Sequence, residues 1–223
     1  TSTSMTTNRD FAAILEASRG AFNPFLARIA DDHVPGRCTS VLVVAPRPGS
    51  GGSTTAACLA ATLALQSGHR VMLIDGNVYE PALHRFLGAP AGPGLLDVSQ
   101  GTLELSAAVR PTSVRNLSLL TAGTTPATDR GALGSSSVHA TIDRALEVAD
   151  VVLIDGPSVL EHPDVFSLRG HVTHVVLVIS AGRTSKRDGR EAVRVLKAAG
   201  LAPTGLILDQ FRPASFLGFE WPS

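Results

Sequence analysis

A short stretch after the first apolar run has the residue types of a phosphate-binding loop but lacks its cation. The segment Pro48-Gly49-Ser50-Gly51-Gly52-Ser53-Thr54 aligns with the motif G-x-x-x-x-G-K-[ST], whose backbone N–H groups surround phosphate while the lysine reaches the outer phosphates and the hydroxyl binds magnesium. Gly52 occupies the lysine position, and Pro46 occupies that of the first glycine. The sequence therefore predicts a loop that can hold a nucleotide but lacks the charge needed to transfer its phosphate.

The elements on either side of this loop would hold it in place. The apolar run Val41 to Val44 precedes it and a helical pattern from Thr55 to Gln66 follows it, which gives the order strand, loop, helix. Further apolar runs without polar alternation predict strands that are buried on both faces, as in a mostly parallel α/β sheet with helices on both sides. These runs are Val71 to Ile74, Leu117 to Leu120, Val151 to Ile154, Val175 to Ile179 and Gly205 to Leu208.

Helical patterns separate the predicted strands, and two of them end at glycines. Gly68 and Gly200 are predicted to follow the last helical residues in the left-handed conformation that favours glycine. The segment from Asn8 to Ala30 is also predicted to be helical, with interruptions near Gly20 and Pro24.

Length, composition and charge restrict the organisation of the chain. Its 223 residues, 44% of them hydrophobic, can bury one substantial core, so we expect a single domain at residues 38–212. Residues 1–37 are predicted to be a helical segment that serves oligomerisation, and residues 213–223 an apolar tail. The 19 basic and 19 acidic residues balance, so nucleic acid is not expected as a partner.

Cysteine content and the lack of long apolar runs point to the cytoplasm. Cys38 and Cys58 are too few and too far apart for a zinc site or a disulfide framework, which favours a reducing compartment. No signal peptide or apolar run of spanning length is visible, so we expect contact with the inner face of a membrane only through a partner. Residues 1–4 are interpreted as an addition, with Met5 as the natural start.

Five motifs in order resemble those of the bacterial tyrosine kinases of capsule and exopolysaccharide export, a branch of the partitioning ATPases. Members of that family carry P-G-x-G-K-S-T, D-x-D-x-R, P-x-L-H, G-L-x-D-V and an aspartate before proline. This chain carries residues 48–54, Asp75-Gly76-Asn77-Val78-Tyr79, Pro81-Ala82-Leu83-His84, Gly94-Leu95-Leu96-Asp97-Val98 and Ile154-Asp155-Gly156-Pro157. The resemblance covers about Glu16 to Asp209 and implies a P-loop NTPase-like, three-layer αβα fold.

The resemblance also implies binding roles for particular residues. Magnesium would be held by Ser53, Asp75 and Asp155. Asp209 stands where relatives usually carry an asparagine that contacts adenine, and a carboxylate has two acceptors but no donor, so it cannot make the same paired contact. The expected cofactor is therefore none, or weakly bound ATP or ADP with magnesium. The implied nucleotide-binding residues are Arg47, Gly49, Ser50, Gly51, Gly52, Ser53, Thr54 and Asp209.

Three positions that matter for catalysis in the family are changed. Gly52, Asn77 and Tyr79 replace a lysine, an acid and an arginine. Because phosphoryl transfer depends on positioning and electrostatic stabilisation, these losses should cost orders of magnitude in rate. We therefore expect no catalytic residue, and interpret Asp75, Asn77 and Asp155 as vestiges of a catalytic site. Tyr79 is the one tyrosine of the chain, so the tail lacks the tyrosine cluster on which active relatives are phosphorylated.

Other residues support more than one interpretation. Arg47 is the best-placed substitute for the lost lysine, although a solvated loop arginine is the plainer interpretation. Glu16 and Arg19 match the start of the E-x-x-R-x-x-R segment that relatives use to form rings, and an ordinary helix with an i,i+3 ion pair is the alternative. His171 and His174 are interpreted as exposed or edge residues rather than as a metal site.

Three functions of different classes follow from these observations. The favoured hypothesis is a non-catalytic regulatory relative of the exopolysaccharide kinases, able to form homo-oligomers. Its partner would be a membrane protein of polysaccharide export or chain-length control, or a kinase paralogue. The second is an active kinase or ATPase that uses Arg47 or a neighbouring subunit's cation. The third is a dinucleotide-binding oxidoreductase, disfavoured because Thr54 stands where a third glycine or alanine belongs.

Overall fold

A seven-stranded, mostly parallel sheet forms the centre of the computed structural model, which describes residues 11–16, 18–32, 34, 36–124, 127 and 131–209. The strands are β1 (Thr39–Val44), β2 (Val71–Asp75), β3 (Arg110–Pro111), β4 (Leu117–Leu120), β5 (Val151–Asp155), β6 (His174–Ser180) and β7 (Gly205–Asp209). Their order in the sheet is β3-β4-β2-β5-β1-β6-β7, and the pairing of β3 with β4 is antiparallel. This is the α/β sheet that the apolar runs predict.

The central strands are apolar throughout because both faces of the sheet are covered. In β1, Val41 and Val43 point into one core while Leu42 and Val44 point into the other, and all four are fully buried. The predicted strands are all confirmed. The short edge strand β3 was not predicted, since two residues carry no periodicity, and its Pro111 is tolerated because an edge strand leaves N–H groups unused.

Helices cover both faces of the sheet. One core is formed with the helices at residues 23–32 and 52–67, and the other with the helices at residues 95–99, 105–108, 136–148 and 186–198, which confirms the three-layer arrangement. None of the helices formed by the described residues is long and apolar enough to cross a membrane. The helices are α1 (Asn23–Asp32), α2 (Gly52–Ser67), α3 (Leu83–Phe86), α4 (Leu95–Ser99), α5 (Leu105–Ala108), α6 (Ser136–Val148) and α7 (Lys186–Ala198), and Arg19–Phe22, Ala132–Gly134 and Pro163–Gly170 form 3-10 turns.

Two helices end at glycines as predicted. Gly68 and Gly200 have φ angles of 73° and 76°, the left-handed conformation expected after a helix. The N-terminal helical segment changes to a 3-10 turn at Arg19–Phe22, near the predicted break at Gly20. Pro24 does not interrupt it, because this residue lies in the first turn of α1, where the missing N–H costs nothing.

Candidate functional site

The loop between β1 and α2 keeps the backbone conformation of an anion-binding loop. Gly49 and Gly51 have φ angles of 73° and 83°, which residues with a side chain rarely adopt, and Gly51 is the N-cap of α2. This end of α2 lines an open cavity of about 620 Å³. Because the first N–H groups of a helix have no partner within the helix, they are available to an anion in that cavity. The cavity lining includes Arg47, Asp209 and the loop residues Gly49, Ser50, Gly51, Gly52, Ser53 and Thr54.

Gly52 leaves the lysine position of the loop without a side chain but with room for one. It is the first residue of α2, and a Cβ placed there would lie 3.5 Å from the Cβ of Ala45, an ordinary van der Waals contact. Apart from its chain neighbours and the backbone of α2 itself, no described residue lies closer to that Cβ position. The lysine position of the motif therefore has no side chain but has space for the Cβ of one.

Two aspartates lie side by side at the carboxyl ends of adjacent strands, deep beside the loop. Asp75 ends β2 and Asp155 ends β5, and the two residues are paired in the sheet register. Both side chains are buried. Asp75 Oδ2 accepts hydrogen bonds from the backbone N–H groups of Ala82 and Leu83, each at 3.1 Å. Among the described residues, Asp75 Oδ1 and both carboxylate oxygens of Asp155 have no hydrogen-bond partner.

The environment of this pair favours the protonated carboxyl. Burial raises the pKa of Asp75 to about 6, although N–H groups that include those of Leu83 and Ala82 oppose the shift. Burial and the charge of Asp75 raise the pKa of Asp155 well above its usual range, and the nearby Ser53 hydroxyl opposes this without forming a hydrogen bond. Two carboxyls with unused oxygens and raised pKa values form a site that a cation would stabilise.

These residues fit a magnesium ion, which the family resemblance implies. Magnesium prefers oxygen ligands and is usually held by one or two carboxylates with water and phosphate. Asp155 and Ser53 both line the cavity, and both carboxylate oxygens of Asp155 lack a partner among the described residues. Asp75 does not line the cavity but is the neighbour of Asp155 in the sheet register. The residues predicted to hold the metal are therefore neighbours, with Ser53 and Asp155 facing the cavity.

Arg47 does not point its charge at the loop. Its guanidinium lies 3.2 Å from Asp188 Oδ1 and 3.5 Å from Glu161 Oε1, at the rim of the cavity. The negative charges of Asp188 and Glu161 already balance the positive charge of the Arg47 guanidinium. The geometry gives no support to Arg47 as the substitute for the lost lysine.

Asn77 and Tyr79, the other two changed positions, have separate environments. Asn77 lines the cavity, and its Oδ1 accepts a hydrogen bond of 3.4 Å from the N–H of Glu80. The Tyr79 hydroxyl lies outside the cavity lining, donates to Asp164 and accepts from the N–H of Gly131 at 3.0 Å. Tyr79 therefore links two segments of the chain instead of carrying charge to the site.

Several residues of the cavity were not predicted from the sequence. Ser158 and His162 follow β5, line the cavity and have buried side-chain atoms without a partner among the described residues. Arg183 follows β6, and its Nη1 donates to the carbonyl of Gly49 at 3.2 Å. A position just after the carboxyl end of a central parallel strand is the one signal that could have identified them.

Asp209, the residue predicted to face the base, does reach the cavity. It ends β7, and its carboxylate lies so close to Gly51 that a Cβ added to that glycine would overlap it. A carboxylate in this position adds negative charge beside a loop that would hold phosphate.

Some predictions fall outside the site or outside the described residues. Glu16 lies in a helical stretch at residues 11–16, but the Arg19 side chain and the apolar tail, residues 213–223, are outside the described residues, so the ring-forming role stays a prediction. The interpretation of His174 as an exposed or edge residue is wrong. His174 is buried on the internal strand β6, and its Nε2 lies 3.0 Å from Asp32 Oδ2.

The sheet order, the loop at the start of α2 and the acid pair at the strand ends define a P-loop NTPase-like α/β domain. No family model matches the chain. The tyrosine-protein kinase YwqD of Bacillus subtilis (strain 168) is 31% identical over 170 residues, which are 76% of this chain and 71% of YwqD. The chain therefore belongs to the bacterial tyrosine kinase family.

Other members of the family differ in how much of their length is matched. The putative tyrosine-protein kinase CapB of Staphylococcus aureus is 28% identical over 199 residues, 89% of this chain and 85% of CapB. The putative tyrosine-protein kinase EpsB of Ralstonia solanacearum is 30% identical over 176 residues, but these are 23% of its own length. The chain thus spans most of CapB and YwqD and a minor part of EpsB.

Solved structures agree with this assignment. The VpsO kinase domain superimposes with a TM-score of 0.80 at 27% identity and covers 91% of this chain and 98% of its own. The septum site-determining protein MinD from Pyrococcus horikoshii OT3, solved in complex with Mg-ADP, has a TM-score of 0.65 at 26% identity, over 78% of this chain and 71% of its own. The assignment to the kinase family leaves the oxidoreductase alternative without support.

Proposed function

We propose that this chain is a non-catalytic member of the bacterial tyrosine kinase family that acts as a regulatory or scaffolding partner in capsule or exopolysaccharide export. Gly52 carries the proposal, because the loop keeps its backbone shape while the lysine position has no side chain. Arg47, the nearest candidate replacement along the chain, is held by Asp188 and Glu161.

The chemistry of phosphoryl transfer explains why these losses would stop catalysis. Charge develops on the phosphate oxygens in the transition state, and fixed cations around them lower the barrier. The loop has no side-chain cation at Gly52, and Asn77 offers an amide where the family has a carboxylate. The hydroxyl of Tyr79, the one tyrosine of the chain, donates a hydrogen bond to Asp164, and Tyr79 does not line the cavity.

The same residues are still suited to weak binding of a magnesium nucleotide. Asp155, Asp75 and Ser53 would hold the ion, and the N–H groups at the start of α2 would face the phosphates. The bound ion would neutralise phosphate charge and favour ionised carboxylates. The presence of Mg-ADP in the MinD structure supports this ligand class. The empty lysine position and the Asp209 carboxylate both weaken the site.

A binding module without catalysis would act through its surface. In this proposal the partner is a membrane protein of polysaccharide export or chain-length control, or an active kinase paralogue. The chain would work in the cytoplasm and reach the membrane through that partner. Homo-oligomers like the rings of the family would use Glu16 and Arg19, and nucleic acid would not be a partner.

Incubation with labelled ATP and magnesium tests the proposal in two arms. For the chain alone we expect neither phosphotyrosine nor ATP hydrolysis above the buffer level, because the cation at Gly52 is missing. For the chain mixed with an active kinase from the same genome, we expect a changed rate of tyrosine phosphorylation by that kinase.

Each arm has an outcome that contradicts the proposal. Turnover by the chain alone at about 1 per second, the low end for kinases, would establish catalysis. If an Arg47→Ala variant abolished that turnover, the substituted-cation hypothesis would replace ours. An unchanged rate in the mixture would argue against the regulatory role toward a paralogue.

A further inference from the structure

The arginines of the nucleotide cavity differ in what their charges contact. Among the described residues, Arg47, Arg85 and Arg183 line the cavity. Arg47 is paired with two carboxylates, and Arg85 Nη2 donates to the carbonyl of Pro81 at 3.5 Å, outside the loop. Arg183 touches the phosphate-binding loop itself through the Gly49 carbonyl, and no described carboxylate lies within ion-pair distance of it.

Arg183 is presented to the loop by a closely bonded turn. Gly182 has a φ of 80°, and the N–H groups of Arg183 and Thr184 both donate to the carbonyl of Ser180, at 3.2 and 2.9 Å. The Thr184 hydroxyl accepts from the N–H of Ser180 at 3.1 Å and lies 3.5 Å from the Ser50 hydroxyl. The turn after β6 is thus tied at one end to the strand and at the other to the loop.

A phosphate would be a stronger partner for this guanidinium than the one it has. The Gly49 carbonyl is neutral and accepts a single hydrogen bond, whereas a phosphate is charged and matches the fork of N–H groups of an arginine. Arg183 is exposed, so its long side chain can turn from the carbonyl to a ligand in the adjoining cavity.

We propose that Arg183 supplies the positive charge for phosphate that the loop lacks, so that the cavity holds a magnesium-bound diphosphate group without a P-loop lysine. The inference rests on the proposed function, according to which the site binds a phosphate ligand but does not transfer its phosphate. The ligand class is a group with two linked phosphates, whether part of a nucleoside diphosphate or free pyrophosphate. Asp209 on the same side opposes this binding, because its carboxylate lies against Gly51.

Calorimetry with magnesium and either ADP or inorganic pyrophosphate tests the inference. Replacing the charge-assisted hydrogen bonds of Arg183 by alanine should weaken binding of both ligands about tenfold or more. Arg183→Lys should retain part of the affinity, since a lysine keeps the charge but not the fork. Asp209→Asn should tighten binding of both ligands by removing a negative charge.

A control variant separates this role from general charge effects. Arg187 is an exposed arginine on the first turn of α7 and does not line the cavity. Arg187→Ala should change the affinity for either ligand less than about threefold, which is roughly half of the free-energy change of a tenfold effect. The melting temperature of every variant without ligand shows whether a loss of binding reflects a loss of folding.

Several results would overturn the inference. These are unchanged binding in Arg183→Ala, an equal loss in Arg187→Ala, or no binding of either ligand by the parent protein at millimolar concentration. Binding of ADP but not of pyrophosphate would also overturn it, because the base and not the diphosphate would then carry the affinity. Phosphate transfer by the parent protein would refute the proposed function instead, whatever the binding data show.

Discussion

The two ends of β5 carry aspartates with opposite electrostatic environments. Asp150 precedes the strand, is partly exposed, and accepts hydrogen bonds of 2.8, 3.2 and 2.7 Å from the backbone N–H, Nε and Nη2 of Arg70. The side chain and backbone of Arg70 lower the pKa of Asp150 to about 2. Asp155 ends the strand, is fully buried, lacks a hydrogen-bond partner among the described residues, and has a raised pKa.

This difference indicates that a ligand binds at the carboxyl end of the sheet rather than at the amino end. A cavity of about 730 Å³ at the amino end is larger than the one beside the loop, but two of its three arginines, Arg70 and Arg144, already pair with Asp150 and Glu104. The smaller cavity at the carboxyl end contains buried polar atoms without partners. Because such atoms cost free energy in the folded state, they locate a functional site better than cavity size does.

The largest expected effect is on the pH dependence of stability. Asp75 has a pKa of about 6 in the folded protein, above its value near 4 in an unfolded chain, so the folded state keeps a proton that the unfolded state has lost. The free energy of unfolding should therefore fall between about pH 4 and 6, by something on the order of 3 kcal/mol. Urea denaturation across this range measures the slope.

Two variants test whether the pH dependence of stability comes from the acid pair at the carboxyl ends of the strands or from Asp150 at the amino end of β5. Asp75→Asn keeps an oxygen for the N–H groups of Ala82 and Leu83 and should reduce the slope. The slope that remains comes from Asp155, because burial also raises the pKa of that carboxyl. Asp150→Asn should leave it unchanged, because the lowered pKa of Asp150 gives stability that is present above about pH 4 and lost only as the pH falls toward 2. If the Asp75→Asn variant kept the slope of the parent protein, the pKa of Asp75 would not be raised in the folded state.

The next effect concerns the side-chain space at Gly52. Gly52→Lys should tighten binding of magnesium ATP by about 1.5 to 3 kcal/mol, or roughly ten- to a hundredfold, through charge-assisted hydrogen bonds to phosphate. Adding Asn77→Asp should raise the affinity further by restoring a carboxylate. Calorimetry at constant ionic strength measures both gains.

A matched variant isolates the charge from the added bulk. Gly52→Met has a similar length and no charge, so it should fold like Gly52→Lys and bind no more tightly than the parent. If Gly52→Lys showed no gain either, the loop would not be competent to bind phosphate, and the chain would be a pure interaction module.

The smallest effect is expected at the amino end. Arg70→Ala removes an ion pair with Asp150 whose arginine side chain is 70% exposed, and exposed pairs contribute less than about 1 kcal/mol. Thermal unfolding at low and high salt should show a small loss that salt reduces further. A loss of several kcal/mol would mean that this end of the sheet also depends on one electrostatic contact.

The sequence predicts the fold well because the signals for it are local. Apolar runs identify the buried strands, and the glycine pattern at 49 and 51 predicts the loop. The register that places Asp75 beside Asp155 follows from two adjacent parallel strands ending at the same edge. The edge strand β3 could not be predicted, since it is too short to carry a pattern.

The site was predicted less completely because its remaining parts depend on distant contacts. Whether Arg47 faces phosphate is decided by Glu161 and Asp188, more than a hundred residues away in the chain. The contact of Arg183 with the Gly49 carbonyl depends on the turn after β6, and the hydrogen bond of His174 joins it to Asp32 of α1. No local sequence pattern predicts these contacts, because the residues that make them are far apart in the chain.

The open space beside Ala45 has a consequence for how this lineage can change. In many proteins a lost functional residue is followed by compensating substitutions that close its place, so that restoring it causes a clash. Here the Cβ of a new side chain at Gly52 would lie 3.5 Å from the Cβ of Ala45 and 3.9 Å from its backbone nitrogen, both ordinary van der Waals distances among the described residues. The first atom of a lysine side chain is therefore accommodated, and one amino-acid replacement separates this loop from one that carries a cation.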